Sequence, residues 1–201
     1  MADVKRLPYR QLQAQETRRR ITASARRLFA ENGYANTSIE ALAADVGVAE
    51  RTVYATFGTK IAILGSICEQ WLEDARTLTL IGEAAAEEAP HMALALLARA
   101  SRQQWESGAD ILRTLDAAAA TDVAIAQMLR EWASNREAGM AGVIKPLSPR
   151  LRKGLTVRRA SAIVRALTAP GMFQSLVGDS AWSPGEYERW LSDSLAGQLL
   201  A

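Results

Sequence analysis

Apolar residues recur along the chain at the spacing of amphipathic helices. Residues 11–32 form the first such segment. Within it Ile21, Ala25 and Phe29 fall on one face, because positions four and eight apart lie on the same side of a helix. Gly33 can take the left-handed conformation that ends many helices. The pattern predicts a long first helix that ends just before this glycine.

Two short helices and a longer one are predicted next. Thr37 and Glu40 have the spacing of a capping box, in which each side chain bonds the other residue's backbone amide, and an apolar face follows them. A third helix is expected over residues 50–56. Thr59 can cap the fourth helix, which is predicted to extend to about residue 80.

The rest of the chain also has helical spacing. The acidic stretch at residues 82–90, closed by a proline, is the predicted linker. Helices are then expected over residues 92–107, 111–120, 122–144, 156–177 and 184–200, with Ser183 as the cap of the last one. With nine or ten helices and no convincing strand, the prediction is an all-α fold. It comprises an N-terminal three-helix head at residues 10–62 and a C-terminal helical domain at residues 63–201.

Composition agrees with a helical globular protein and excludes several kinds of site. Apolar residues make up 49% of the chain and charged residues 23%, and alanine and leucine are abundant. The single cysteine, Cys68, excludes a disulfide scaffold and a cysteine-built metal site, and the single histidine, His91, excludes a histidine-clustered zinc site. No apolar run is long enough to cross a membrane, and the first residues lack the apolar core of a secretion signal. We therefore expect a cytoplasmic protein without a cofactor or metal.

The net charge of +2 hides an uneven distribution. Residues 1–65 carry ten basic side chains against six acidic ones, whereas the remainder carries 14 against 16. A basic head is the electrostatic signature of a module that binds phosphates. The alternative is an ordinary solvated helix in an arginine-rich chain, and the charge alone does not separate the two.

Residues 38–57 have the organisation of a helix-turn-helix. Two helices that cross steeply require a small residue at the crossing and a residue that tolerates positive φ in the turn. Ala43 and Gly47 meet these two requirements. The exposed face of the second helix carries short polar groups, one tyrosine and one guanidinium, and such a face can lie in the major groove of DNA. A plain helical hairpin is the alternative.

This stretch and its flanks resemble the TetR-type family of transcriptional regulators, named after the tetracycline repressor. The similarity covers residues 17–64. It rests on the spacing of Phe29, Gly33, Tyr34, Thr37, Ile39, Leu42, Ala43, Gly47, Val48, Thr52, Val53, Tyr54, Phe57 and Lys60. The resemblance implies that the head binds double-stranded DNA.

The resemblance also implies roles for individual residues. Thr37, Thr52, Tyr54 and Lys60 match positions that hold the DNA backbone. Base contacts would then fall to Glu50, Arg51 and Thr56. The chain has Ala49, Arg51 and Thr56 where the family often has serine, glycine and histidine, so the family's base preferences do not transfer. The arginines of the first 20 residues form either a minor-groove arm or a solvated tail.

The resemblance implies that the C-terminal domain pairs two copies of the chain, which agrees with the small and weak interface that a single recognition helix gives. The predicted dimer interface consists of Ile163, Leu167, Leu191, Leu195 and Leu199 on the last two long helices. The alternative is that these residues close the core of the monomer.

The resemblance also implies a pocket for a small molecule in the same domain. Its predicted lining is Trp71, Trp105, Met128, Trp132, Met172 and Phe173, a mixture of aromatic and flexible side chains that suits an apolar or aromatic effector. These residues could equally be plain core. Arg99, Arg102 and Arg136 could face an anion or simply cover a solvated helix surface.

The predicted function is a homodimeric repressor that binds a palindromic operator and is released by a small molecule. The alternatives are a helical module that recruits a protein, a regulator without a ligand, and an activator. An enzyme finds little support, because the sequence has no P-loop, dinucleotide-binding glycine motif or nucleophile elbow.

Overall fold

The computed structural model describes residues 9–201, and this part of the chain is helical with no strand, as predicted. Arg6, the first arginine of the possible minor-groove arm, lies outside it. Within it the α-helices are α1 (Tyr9–Asn32), α2 (Ile39–Val46), α3 (Glu50–Phe57), α4 (Lys60–Asp74), α5 (Thr77–Ala86), α6 (Pro90–Ser107), α7 (Ala109–Ala119), α8 (Val123–Ile144), α9 (Val157–Leu167), α10 (Pro170–Phe173) and α11 (Pro184–Leu199). A 3₁₀ turn at Ser148–Arg150 and a π-helical segment at Gln174–Asp179 complete the described helices.

The caps predicted at Thr59 and Ser183 are confirmed, and Asp122 and Thr156 act in the same way. Asp122, Thr156 and Ser183 accept hydrogen bonds from amides in the first turns of α8, α9 and α11, and Thr59 does so for α4. Ser183 and Glu186 form the reciprocal capping box of α11.

The predicted capping box of α2 is wrong by one position. Ser38, and not Thr37, is the N-cap, and its hydroxyl accepts a hydrogen bond from the amide of Ala41 at 3.0 Å. Thr37 is 3% exposed, and its hydroxyl group points back to the carbonyl oxygens of Leu28 and Gly33. Ser38 takes the cap instead, since the Thr37 hydroxyl donates to those carbonyls.

The predicted linker is also wrong. The long fourth helix ends at Asp74, and Arg76 takes a left-handed conformation with φ of 51°. A separate helix, α5, then runs through Gly82 to Ala86. This extra break is one reason why eleven α-helices occur in residues 9–201 instead of nine or ten.

The described chain divides into two compact units whose bounds differ from the predicted domain bounds. The first contains the residues through Gln70 together with Asp110–Ala126, and the second contains Trp71–Ala109 and Gln127–Ala201. The predicted functional boundary between residues 62 and 63 stays a prediction.

The first unit is built around α1. Helix α1 packs on α2, and α2 packs on α3. The buried side chains of this unit include Ile21, Phe29, Leu42, Val53, Ile63, Leu64, Ile111, Leu115 and Ile125. A bidentate pair joins α1 to the second segment of the unit: Arg26 donates to both carboxylate oxygens of Asp110 at 2.7 and 2.8 Å.

We expect the Arg26–Asp110 pair to make stability depend on pH. The hydrogen bond from Arg26 lowers the pKa of Asp110, against the opposing effect of burial. The stabilisation that the pair provides is therefore present above the pKa of about 4 that the carboxyl has in the unfolded chain. It is lost as the pH falls through the lowered pKa of the folded protein. Asp110→Asn should lower the free energy of unfolding by about 1 kcal/mol or less at pH 7 and leave it unchanged at the acid end. Urea unfolding at each pH measures this difference.

The exposed Asp193 of α11 offers a matched control. Asp193→Asn should leave the pH profile of the free energy of unfolding unchanged. A profile of Asp110→Asn that runs parallel to that of the wild type down to pH 3 would show that the pair does not contribute.

The second unit has one apolar core shared by α6, α9 and α11. Helix α11 packs on α6 and α9, and α5 packs on α6. Leu191, Leu195 and Leu199 of α11 are 0% exposed in this core. A residue with no accessible surface in the single chain cannot contribute surface to a partner, so placing these three leucines in a dimer interface is wrong. Ile163 and Leu167 of α9 are only partly buried.

Candidate functional site

Helices α2 and α3 form the predicted helix-turn-helix in the first unit. Gly47 ends α2 with φ of 73°, and the amide of Val48 donates to the carbonyl oxygen of Ala43 at 3.0 Å. A side chain with a Cβ would be strained at this φ, which is why the turn requires glycine. Val53 is 1% exposed and fixes the buried face of α3. The opposite face of α3 is thereby directed to solvent.

The solvent-directed face of α3 presents the predicted base-reading residues. Glu50, Arg51 and Ala55 are exposed, and Tyr54 is 51% exposed. Arg51 has no hydrogen bond or ion pair within residues 9–201. Its five N–H donors are therefore available to an external acceptor.

The two threonines of α3 are less available than their neighbours. Both are partly buried, and the hydroxyl of Thr56 donates to the carbonyl oxygen of Thr52 at 2.7 Å. Thr56 can still accept a hydrogen bond from an external group, but its own proton is held inside the helix.

The start of α3 has no side-chain cap. Ala49 occupies the N-cap position and cannot accept a hydrogen bond. The amide of Thr52 donates to the carbonyl oxygen of Ala49 at 2.8 Å, and those of Glu50 and Arg51 are left for water or for an anion, which the positive end of the helix dipole favours. This feature is consistent with a contact to a phosphate.

Lys60 lies at the start of α4 and is partly engaged. Its Nζ donates to the carbonyl oxygen of Ala35 at 3.3 Å and lies 4.3 Å from the centroid of the Tyr34 ring. Burial lowers the pKa of Lys60, and the charge of Asp122 acts in the opposite direction. An ammonium group has three donors, so two are still available to a phosphate.

Two arginines of α1 have a role that the sequence did not indicate. Arg18 donates to the carbonyl oxygen of Thr56 at 3.3 Å, and Arg20 donates to that of Val46 at 2.6 Å. Each bond satisfies a carbonyl at the C-terminal end of α3 or α2, where a cation is also favoured by the helix dipole. Sequence spacing could not reveal these bonds, because the partners are 38 and 26 positions apart.

A surface groove runs between α1 and α3 in the same unit. It encloses about 580 Å³ and is lined by Arg10, Gln13, Ala14, Gln15, Thr17, Arg18, Thr52, Ala55 and Thr56. Two arginines and several neutral polar groups line it, and no acidic side chain does. The groove thus extends the basic and polar surface of the recognition helix onto α1.

The residues predicted to line an effector pocket all lie in the second unit and are buried or partly buried. Trp71 and Trp105 are buried with ring centroids 5.8 Å apart, and each indole N–H donates to a backbone carbonyl, of Gln104 and Thr168 respectively. Met172 and Phe173 lie partly buried on the core. Met128 and Trp132 are partly buried on α8.

Part of the first unit matches a known protein family. Residues 21–67 match the family model described as bacterial regulatory proteins, tetR family. None of the curated proteins matches the chain. In the described part of the chain no helix is long and apolar enough to span a membrane, and no group of three metal-ligating side chains occurs.

Solved structures of regulators share the fold. SmeT, the repressor of the Stenotrophomonas maltophilia multidrug efflux pump SmeDEF, matches with a TM-score of 0.73 at 18% identity, over 94% of this chain and 92% of SmeT. Its triclosan complex matches with a TM-score of 0.77 at 17% identity, over 92% of each chain. NalD, the secondary repressor of the MexAB-OprM pump of Pseudomonas aeruginosa, matches with a TM-score of 0.65 at 24% identity, over 93% of this chain and 98% of NalD.

Proposed function

Residues 21–67 are the N-terminal domain of a TetR-family regulator, and we propose that the protein is a homodimeric repressor of transcription that a small molecule releases from DNA. The observation that carries the proposal is the exposed face of α3. There Arg51, Tyr54 and Glu50 project from a helix whose other face is anchored by Val53. Such a helix fits the major groove, where side chains can reach base edges.

The contacts divide into those that position the protein and those that read bases. Arg51 and Glu50 are the proposed base-reading residues, since a guanidinium can bond guanine and a carboxylate can accept from cytosine. Tyr54, Thr52 and Lys60 are proposed to hold phosphates, together with the uncapped amides of α3. Thr56 contributes as an acceptor. Thr37 has almost no exposed surface, and we assign it a structural role within the head.

Dimerisation is proposed because one short recognition helix buries too little surface for specific binding, whereas two copies read a palindrome. The core leucines of α11 are excluded from the interface. The supporting observation is that Ile163 and Leu167 of α9 and Trp190 of α11 stay partly exposed on the same unit. We propose that these side chains meet their counterparts in a second copy.

Release by a small molecule is proposed for the second unit. Such a ligand must bind the state that fits DNA poorly more tightly than the state that fits it well. The aromatic and methionine side chains of the unit suit a ligand with an apolar or aromatic body. The SmeT fold neighbour has been solved in complex with triclosan, which supports a ligand site in a protein of this fold.

The proposal predicts a specific outcome of operator selection. The purified protein, used to select duplexes from a pool with a randomised centre, should enrich a palindromic sequence. Arg51→Ala should then bind the selected duplex about tenfold or more weakly and tolerate changes at one symmetric pair of positions, because a base contact is worth about 1–3 kcal/mol. Fluorescence anisotropy titration of a labelled duplex measures both effects.

Arg158 provides a matched control, since it is an exposed arginine of α9 in the second unit. Arg158→Ala removes the same charge and should leave duplex affinity nearly unchanged. Selection of no sequence, or equal weakening by both substitutions, would contradict base reading by α3. Enrichment of a single non-repeated half-site would contradict the dimer.

A further inference from the structure

A partly buried guanidinium lies in the second unit without a carboxylate partner. Arg136 of α8 donates through Nη2 to the carbonyl oxygen of Thr168 at 2.5 Å and to its hydroxyl oxygen at 2.9 Å. Its Cζ lies 5.2 Å from the centroid of the Trp105 ring. Within residues 9–201 no carboxylate forms an ion pair with it. Burial lowers its pKa to about 10, so the group is still a cation at neutral pH.

The C-terminal end of α9 accounts for the hydrogen bonds of only one nitrogen of this guanidinium. Thr168 follows the last residue of α9, where free carbonyls and the helix dipole favour a positive charge. The two hydrogens of Nη2 serve Thr168. Nε and Nη1 carry three further N–H donors, and these form no hydrogen bond within the described residues.

A buried phenol close by also lacks a partner. Tyr187 of α11 is 0% exposed, and its hydroxyl has no hydrogen bond with residues 9–201. Its ring is held edge-to-face against Phe173 with centroids 5.0 Å apart. The segment after α9 joins this phenol to the guanidinium, since Arg136 bonds Thr168, and Phe173, five residues later, packs on Tyr187. Burial raises the pKa of Tyr187 to about 12, and the charge of Arg136 acts in the opposite direction. A buried hydroxyl without a partner costs about 1–3 kcal/mol, so a bound acceptor would recover that free energy.

The other arginines of this unit that could face an anion are satisfied internally. Arg99 and Arg102 of α6 both donate to the carboxylate of Glu188, at 3.3 and 2.9 Å. Arg102 also pairs with Glu106. Arg136 therefore differs from them in having aromatic neighbours and no acid.

We infer that Arg136 and Tyr187 bind the carboxylate of an effector whose aromatic or alkyl body packs against Trp105 and Phe173. A carboxylate can accept a charge-assisted bond from Nη1 or Nε of this guanidinium and a further bond from the phenol. This inference rests on the proposed function, because it names the chemical class of the effector proposed there. It changes the expected ligand from a neutral apolar molecule to an amphipathic organic acid.

Matched probes test the charge requirement. Benzoate, 3-phenylpropanoate and octanoate are titrated into the full-length protein beside benzamide, 3-phenylpropanamide and octanamide. We expect at least one acid to raise the melting temperature and to alter tryptophan fluorescence, since Trp105 borders the site. Its amide should bind about tenfold or more weakly, because a hydrogen bond to a charged group is worth about 1.5–3 kcal/mol.

Tyr187→Phe is the decisive variant, because it removes a hydroxyl that bonds nothing in the free protein. Its melting temperature without ligand should equal or exceed that of the wild type, while affinity for the acid falls about tenfold or more. Arg136→Lys should weaken the acid similarly, because an ammonium has three donors where the guanidinium has five and cannot serve Thr168 and the ligand in the same geometry. Tyr9→Phe and Arg165→Lys are the controls, since Tyr9 is exposed and Arg165 pairs with Glu137 at the surface.

Each remaining outcome overturns the inference. Equal binding of acids and amides would show an apolar site without a charge requirement, and no binding of any acid would show that the two groups serve the fold alone. An acid affinity unchanged in Tyr187→Phe would remove the phenol from the site. Duplex binding is measured on the same preparation: a protein that binds duplex but no acid contradicts this inference only, whereas one that binds acid but no duplex contradicts the proposed function.

Discussion

Leu195→Ala is expected to lower the free energy of unfolding by about 2–5 kcal/mol. The side chain is 0% exposed in the core that α11 shares with α6 and α9, and its removal leaves a cavity that close-packed neighbours fill only in part. Urea unfolding followed by circular dichroism measures the change. The measurement is made at several protein concentrations, because the stability of a dimer depends on concentration.

Gln198 of the same helix is exposed, and Gln198→Ala should change the free energy of unfolding by less than about 0.5 kcal/mol. Comparing the two variants shows whether Leu195 lies in the core of the monomer or in a dimer interface. If Leu195→Ala shifted the monomer–dimer equilibrium in analytical ultracentrifugation while the monomer kept its stability, the core assignment would be wrong.

Gly108→Ala is expected to destabilise the protein by about 3 kcal/mol. A Cβ at this position would lie 2.2 Å from Cε2 and Cζ2 of Trp71, a distance that no packed structure tolerates. The indole cannot step aside cheaply, because its Nε1 donates to the carbonyl oxygen of Gln104 at 2.9 Å and its ring packs on Trp105. The backbone is not the obstacle, since φ is −121° and suits any residue.

Gly142→Ala is the matched control for this substitution. Gly142 lies inside α8, and a Cβ there meets nothing within 4 Å. This substitution should stabilise the protein by about 0.5–1 kcal/mol through helix propensity. Equal effects of the two alanines in guanidinium unfolding followed by tryptophan fluorescence would show that Trp71 can relocate without cost.

The helix-turn-helix could be predicted in detail because its determinants are local. The turn between α2 and α3 depends on a glycine at positive φ and a small residue at the crossing, and Gly47 and Ala43 stand four positions apart. Caps such as Ser183 and Asp122 act on amides two or three positions away. Interactions of this range can be read from spacing alone.

Contacts between residues far apart in the sequence could not be predicted from spacing. The apolar stripe of α11 is the same whether Leu191 and Leu195 face the chain's own core or a second copy, and only the packing of α6 against α11 decides. The bond between Arg26 and Asp110 spans 84 positions. The shift of the α2 cap from Thr37 to Ser38 depends on carbonyls that α1 presents to Thr37.

At the proposed effector site, too, the sequence indicated residue types but not their long-range partners. The sequence pointed to aromatic and methionine side chains and to three arginines as possible anion contacts, but it could not tell a paired arginine from an unpaired one. Glu188 neutralises Arg99 and Arg102, whereas Arg136 meets only a carbonyl, a hydroxyl and an indole. The chemistry of the proposed ligand follows from that difference.

The internal bonds of the α1 arginines bear on how many ions DNA binding would release. Eight basic side chains lie in the described part of residues 1–65, but Arg26 and Arg27 are matched by acids. Six are then left for phosphates: Arg10, Arg18, Arg19, Arg20, Arg51 and Lys60. Each phosphate neutralised on B-DNA contributes a slope of about −0.9 in log affinity against log salt, so these six account for about −5 per head, where all eight would give about −7. Operator binding by this head would thus be less sensitive to ionic strength than its count of basic residues suggests.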